Sequence, residues 1–327
     1  GGLDSTAVLS FFLDAKTTTD PIYSYSAEFN HLSPDKISKV NETFYQKKIN
    51  HDSLIKKSFT TKQLSTLSDL DSYLSLIKQP FFFPNLFIPN EVFKLANKDN
   101  VRLVFNGNDG DTVMSHGYEY LIELFLNLKW LTLHREIKKL SQSMNKSRLF
   151  LFKNIVLAQI FYDNKITFSA KNRHKDIMNN IAHQNAIEIQ SLIADNYKIK
   201  EVYPFYNIDL INECINSDPQ LKLNGYTRLI LRKISEGIMP EEIRLRKDKA
   251  SLTQNFIDSL KNDKNIINYH LDNPEKEIEK ILDIHKMKND WSIFIKNQND
   301  LVPNKMFASR IFSYVVANRW LQLFKKP

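Results

Sequence analysis

Two glycine turns and an arginine- and lysine-bearing segment hold the residue types that handle phosphate groups. The chain opens with Gly1-Gly2-Leu3-Asp4-Ser5-Thr6 and runs straight into Ala7-Val8-Leu9-Ser10-Phe11-Phe12-Leu13, whose apolar spacing predicts a helix. Glycines let backbone N–H groups approach an anion, and a helix N-terminus adds partial positive charge. No lysine follows the glycines, so this is not the GxxxxGK[ST] loop. Asp4 would repel a phosphate unless a cation such as Mg²⁺ lay between them. The plainer reading is an ordinary capped helix start.

The second turn, Asn106-Gly107-Asn108-Asp109-Gly110-Asp111-Thr112, directly follows the short apolar run Val101-Arg102-Leu103-Val104-Phe105. Glycines and acids at the carboxyl end of a parallel strand stand where ligands bind in open α/β sheets. Asp111 facing Asp4 across such a crevice would complete a Mg²⁺ site. A simple polar turn is the competing reading, because Gly, Asn and Asp favour turns anyway. The third group comprises Tyr203-Pro204-Phe205-Tyr206-Asn207, then Gly225 through Arg232, then Met239 through Lys249. Arg228 and Arg232 are four apart and are expected on one helix face. Spacing alone leaves open whether that face is solvated or functional.

These residues need elements to hold them. The first third alternates helical and strand patterns: a helix after the opening turn, a strand over residues 22–29, a helix start at Ser33-Pro34-Asp35 and a weak strand over 54–59. A helix over 61–77, an aromatic loop from Gln79-Pro80, and another helix lead to the strand over 101–105. That alternation predicts a parallel sheet with helices on its faces. A phosphate-binding turn normally follows a buried strand, so that strand and the natural N-terminus are expected upstream of Gly1. Beyond Gly117 the texture changes to long amphipathic helices, expected over 119–140, 150–161, 174–195 and 305–324, with Trp130 and Trp320 as packing anchors. The expected division is an α/β lobe over residues 1–116 and a helical lobe over residues 117–327, without a flexible linker.

Composition bounds the function. With 327 residues, 42% of them hydrophobic, the chain can bury a sizeable core. No apolar run approaches the roughly 20 residues of a membrane span. The single cysteine, Cys214, excludes an intramolecular disulfide framework, suits a reducing cytoplasm, and reads as a buried small hydrophobe. A net charge of +8 raises nucleic acid as a partner, but the lysines are scattered and the densest basic run contains an acid, which argues against it.

In this order the segments resemble the C-terminal synthetase domain of asparagine synthetases and their relatives, among them β-lactam synthetase and lasso-peptide cyclases. The family's SGGLDSS pyrophosphate loop is similar to Gly1-Gly2-Leu3-Asp4-Ser5-Thr6. Its Gly-x-Gly-Gly-Asp-Glu motif with a following Gly-Tyr resembles Gly107-Asn108-Asp109-Gly110-Asp111-Thr112 with Gly117-Tyr118. Its PFLD stretch resembles Pro204-Phe205-Tyr206-Asn207, and its LP-x-x-I-x-x-R-x-K region resembles Met239 through Lys249. The resemblance spans residues 1 to about 256. It implies a pyrophosphate-loop ATPase core that uses ATP and Mg²⁺ to activate a carboxylate as its acyl-adenylate, after which an amine forms an amide. Gly1, Gly2, Ser5 and Thr6 would hold pyrophosphate, with Gly107 and Gly110 also lining the nucleotide site. Asp4 and Asp111 would hold Mg²⁺, and Lys249, with Lys247 as the alternative, would stabilise the adenylation transition state.

Departures from the family pattern mark what is particular here. Asp109 replaces a glycine, Thr112 a glutamate, and Asn207 stands where aspartate is common. The family's catalytic glutamate before "PF" aligns without gaps to Lys200, with Glu201 beside it, and a one-residue shift on a strand reverses the face. Either a bulge restores Glu201 or the amine-activating step differs. Full asparagine synthetases carry an N-terminal glutaminase domain that could supply ammonia; nothing in this sequence covers it. The variant motifs lean toward another substrate, such as a peptide carboxylate. Two other classes stay open on sequence alone. One is a different pyrophosphate-loop enzyme, against which the "PF" and "R-x-K" segments speak. The other is a non-catalytic binding module, which Thr112 and the displaced glutamate favour.

Overall fold

The computed structural model describes residues 2–32, 42–162, 167–247, 250–296 and 301–324. Helix α1 (Leu3–Asp14) starts at once, with Gly2 as its extended N-cap and the Thr6 N–H donating to the Gly2 carbonyl at 3.0 Å. Its buried residues Leu3, Thr6, Ala7, Ser10 and Leu13 form one stripe at helical spacing. Strand β1 (Ile22–Glu28) pairs in parallel with β2 (Leu54–Thr60), from Ile22↔Leu54 to Glu28↔Thr60. Helices α2 (Leu70–Ile77) and α3 (Phe87–Lys98) lead to β3 (Leu103–Phe105).

The second turn opens α4 (Gly110–Val113), followed by α5 (Tyr118–Leu126) and α6 (Trp130–Met144). A helical run over residues 148–162 with a wide turn at Phe152–Leu157 comes next, then α7 (Ala170–Met178) and α8 (Ile181–Asn196). Strand β4 (Lys200–Val202) returns to pair in parallel with β3. Then come α9 (Ile208–Asn216), α10 (Leu229–Ile234) and α11 (Glu241–Arg244). Beyond them α12 (Thr253–Asn262), α13 (Lys264–Asp272), α14 (Ile284–Lys296) and α15 (Leu301–Phe324) complete the helical half.

The architecture is mixed α/β, dominated by helices around small parallel sheets. The expected continuous parallel sheet is instead two separate two-stranded sheets, β1–β2 and β3–β4. Strands β1 and β3 do not pair; both line a cavity of about 490 Å³ with Val8, Leu9 and Phe12 of α1. Among the described residues no strand lies between them to carry the ladder across. The helix start expected at Ser33-Pro34-Asp35 lies outside the described residues.

Several expected helices are shorter or broken, for local reasons. The helix expected over 61–77 forms only at its end, because hydroxyls before it find other partners: Thr66 Oγ1 donates to the Pro84 carbonyl and Ser65 accepts from the Ser68 N–H. The 119–140 helix breaks at Leu128, in left-handed backbone at φ 57°, and the 174–195 helix breaks at Asn179-Asn180. Trp130 is 49% exposed, with an edge contact to Phe125, so it is not the buried anchor its type suggested. Trp320 does pack on the main core and donates its indole N–H to the Lys78 carbonyl.

The largest apolar cluster joins Leu74 and Phe93 to Ile193, Leu260 and Phe312, across the two halves of the chain. A smaller cluster gathers every segment that the motifs marked. It packs Leu3 and Ala7 of α1 against Val113 and Met114 after the second turn, Phe205, Cys214, Leu231, Met239 and Ile243. Cys214 is buried there with its Sγ 3.5 Å from the Met114 sulfur, a small core hydrophobe as its context suggested.

Candidate active site

That smaller core pulls the two glycine turns into backbone contact. A Cβ placed on Gly107 would lie 2.4 Å from the Ser5 nitrogen and 2.6 Å from Ser5 Cα. One on Gly110 would lie 2.8 Å from both Asp4 Cβ and Phe205 Cε2. Neither position has room for any side chain, so the glycines are required by close approach. Asp4 therefore rests on the turn that carries Asp111 one residue further on. Of the expected phosphate-loop residues, Gly2, Asp4, Ser5 and Thr6 lie together at the start of α1, with Ser5 exposed and Thr6 buried. Gly1 and Lys249 lie outside the described residues.

Charge around Asp4 is set by arginine. Arg228 Nη1 pairs with Asp4 Oδ2, and Arg228 is 5% exposed. Arg228 does not share a helix face with Arg232, as the spacing predicted. It precedes α10 in left-handed backbone (φ 54°, ψ 43°), at the end of a turn closed by an antiparallel Leu223↔Thr227 bridge. Arg232, on α10 and equally buried, donates to the carbonyls of Thr227 and Arg244. Burial, with the Arg228 cation next in importance, pulls the Arg232 guanidinium down to about 10. Neither arginine belongs to a solvated face. Nearby, Arg246 lies over the Tyr45 ring at 4.2 Å and pairs with Glu42 at 2.6 Å, tying the Met239–Lys249 region to the first third of the chain.

Asp111, in the first turn of α4, has the His116 Nε2 at 3.6 Å. Among the described residues no three His, Cys, Asp or Glu side chains converge as a metal cage. Two carboxylates on touching turns suit Mg²⁺, which binds through one or two carboxylates plus waters and substrate phosphates rather than in an all-protein cage.

A second acidic locus surrounds Glu201. Strand β4 pairs in plain register, Leu103↔Lys200 and Val104↔Glu201, with no bulge. Lys200 is exposed, whereas Glu201 is partly buried and takes three hydrogen bonds: from Asn106 Nδ2 at 2.7 Å, Gln190 Nε2 at 2.6 Å and Tyr203 Oη at 2.5 Å. Burial pushes its carboxyl up, and the three donors partly offset that rise. Tyr203 was legible as the same-face neighbour of Glu201 at strand spacing. Gln190 carried no signal, since only the packing of α8 brings it there.

Asp109, the residue in place of a glycine, is left-handed at φ 57°. It accepts from Tyr206 Oη at 3.0 Å, and His183 Nδ1 lies 2.7 Å from its other oxygen. Beneath the turn, the fully buried Lys222 donates to His174 Nδ1 at 2.9 Å, which leaves His174 Nε2–H to donate to the Thr112 carbonyl at 2.9 Å. Asn207 caps α9, its Oδ1 accepting from the Asp209 and Leu210 N–H groups, a task asparagine performs as well as aspartate.

The order of these segments resembles that of one family, and the comparison with family models agrees: the asparagine synthase model matches residues 1–300. The chain belongs to the asparagine synthase family. Asparagine synthase-type proteins are ATP-dependent synthetases of the ligase class, which join a carboxylate to an amine or ammonia. No curated protein matches the chain. Among the described residues no helix is long and apolar enough to cross a membrane.

Proposed function

We propose that this asparagine synthase-type chain is an AMP-forming carbon–nitrogen ligase built on a pyrophosphate-loop core. The observation that carries the reading is the backbone contact between the two glycine turns, which sets Asp4 against Gly110, the residue that precedes Asp111 in the chain. In the first step a carboxylate oxygen of the substrate attacks the α-phosphorus of ATP, the α–β phosphoanhydride bond breaks, and pyrophosphate leaves with the electron pair. Backbone N–H groups of Gly1 and Gly2, the exposed Ser5 hydroxyl and the Thr6 backbone hold the leaving pyrophosphate. Gly107 and Gly110 keep the second turn close enough to close the site.

Asp4 and Asp111 are the residues that would hold Mg²⁺, whose contribution is to offset negative charge on the phosphates. Lys249 is the candidate cation for stabilising the α-phosphate in the transition state; Lys247, 5.9 Å from the Tyr226 ring centroid, is the alternative. In the second step the amine attacks the acyl carbon, the C–O bond to AMP breaks, and the surplus proton passes to Glu201. A carboxylate whose affinity for protons is raised by burial serves that role better than an exposed one.

The test is isotope exchange between pyrophosphate and ATP, run with amino acids and short peptides as candidate carboxylates. Exchange that depends on one acid class supports the reading and names the substrate. ATP cleavage without exchange for any acid overturns it.

A further inference from the structure

The ion pair at the head of α1 leaves a charge imbalance. Arg228 and Arg232 are both 5% exposed, and the carboxylate that acts on both is Asp4. Arg232 spends its hydrogen bonds on neutral carbonyls, those of Thr227 and Arg244. Arg228 Nε is buried with no hydrogen-bond partner among the described residues. Two buried cations facing one acid favour an added anion, because a buried charge is costly unless paired. The same Asp4 is one of the two acids that would hold a divalent cation. A metal arriving at Asp4 and a guanidinium already on it compete for one carboxylate.

We propose that Arg228 is a two-position cation, paired with Asp4 in this structure and moving to a polyphosphate oxygen when a divalent cation takes Asp4. The exchange conserves pairing: Asp4 passes from guanidinium to metal, and Arg228 passes from carboxylate to phosphate. Neither group is left buried without a counter-charge at either end. The closed turn that precedes Arg228, with its Leu223↔Thr227 bridge and the Leu229 N–H on the Lys222 carbonyl, anchors the backbone while the long side chain changes partner. Arg232, held on two carbonyls and 5.4 Å from the Tyr226 ring centroid, stays in place and adds a fixed positive charge. The proposal rests on Asp4 as a metal-binding residue of the site proposed above.

The probes are Mn²⁺, counted by electron paramagnetic resonance, and inorganic pyrophosphate, with the full chain and no carboxylate substrate. Arg228→Met removes the competitor, so Mn²⁺ alone should bind about tenfold more tightly than in the wild type, the scale of a typical coupling between sites. Pyrophosphate in the presence of Mn²⁺ should bind at least about tenfold more weakly to that variant. Asp4→Asn releases Arg228 for the anion, so metal-free pyrophosphate should bind more tightly than to wild type. Unchanged Mn²⁺ affinity in Arg228→Met, or no gain in pyrophosphate affinity in Asp4→Asn, shows a fixed structural pair and overturns the proposal. If Arg228→Met does not fold, the Asp4→Asn measurement decides alone. Binding that follows the proposal without exchange on any carboxylate would overturn the proposed ligase and leave the two-position arginine standing.

Discussion

Glu201 shows how far single residues can be read from sequence. Alignment left Lys200 and Glu201 competing for one place, and period-two geometry made the choice a question of face. Strand β4 pairs with β3 without the bulge that would bring Glu201 onto the aligned position, yet the Asn106, Gln190 and Tyr203 donors gather on Glu201 while Lys200 is exposed, and this favours Glu201 as the candidate from its neighbouring position. Its proposed role predicts a split. Glu201→Gln should leave pyrophosphate exchange within about threefold of wild type and lower amide formation by about 10²-fold, the usual scale for loss of a proton acceptor. Parallel rates of exchange and product formation check this, and equal losses in both would place Glu201 in adenylation instead. Lys249 is expected to show the opposite pattern. Lys249→Ala should cut exchange by about 10²-fold while ATP affinity falls much less, since a charge used in the transition state changes turnover more than binding. Exchange rate and ATP dissociation constant for Lys249→Ala and Lys247→Ala measure it, and a larger defect at Lys247 would move the assignment there. Asp109 illustrates what sequence could not give. Aspartate in left-handed backbone looks unfavourable alone, and only the fold reveals Tyr206 and His183 on its oxygens.

At the scale of elements, glycine spacing revealed both turns but not that they touch. Contact follows from the core of Leu3, Val113, Phe205 and Leu231, whose members are up to 228 residues apart in number. Gly107→Ala forces a methyl group to 2.4 Å from the Ser5 nitrogen, so α1 and the second turn must separate. Pyrophosphate exchange is expected to fall at least about tenfold, as misplacement of a catalytic constellation usually produces; normal exchange in this variant would contradict the close-approach argument. Helix lengths were less legible, because Thr66, Ser65 and the Leu128 turn use local hydrogen bonds and backbone geometry that apolar periodicity does not register. Two titrating groups on α13 give this helical half a pH signature. Asp263, buried at the head of α13, has its carboxyl pushed up to about 6 by burial, while burial brings His270 down to about 4. For Asp263 the folded state holds its proton longer than the unfolded chain, so its contribution is full below about pH 4 and is lost as pH rises to about 6. His270 acts in the opposite sense, losing stability as pH falls from about 6.5 to 4. Asp263→Asn should therefore match wild type near pH 4 and exceed it by up to about 3 kcal/mol above pH 6.5. Denaturant melts at the two pH values check this, and a gain that is equal at both would show that ionisation is not the cause.

Across the whole molecule, the family was visible in the order of four short motifs and the α/β class in the alternation of helical and strand patterns, whereas the way the halves join was not. Strand β4 pairs with β3 across nearly a hundred residues, and the largest core mixes Leu74 and Phe93 with Ile193 and Phe312. Such long-range pairings depend on packing that no local pattern encodes. The same packing buries Arg228 and Arg232 beside Asp4 of the opening turn, while most of the 45 lysines and arginines stay at the surface. That arrangement suits polyphosphate chemistry and the proposed split of ATP between its α- and β-phosphates. The most direct measurement is phosphorus NMR of a turnover mixture containing Mg²⁺, ATP, the carboxylate found by exchange, and an amine. AMP and pyrophosphate are expected to accumulate in equal amounts with the amide. Accumulation of ADP and inorganic phosphate instead would contradict that split.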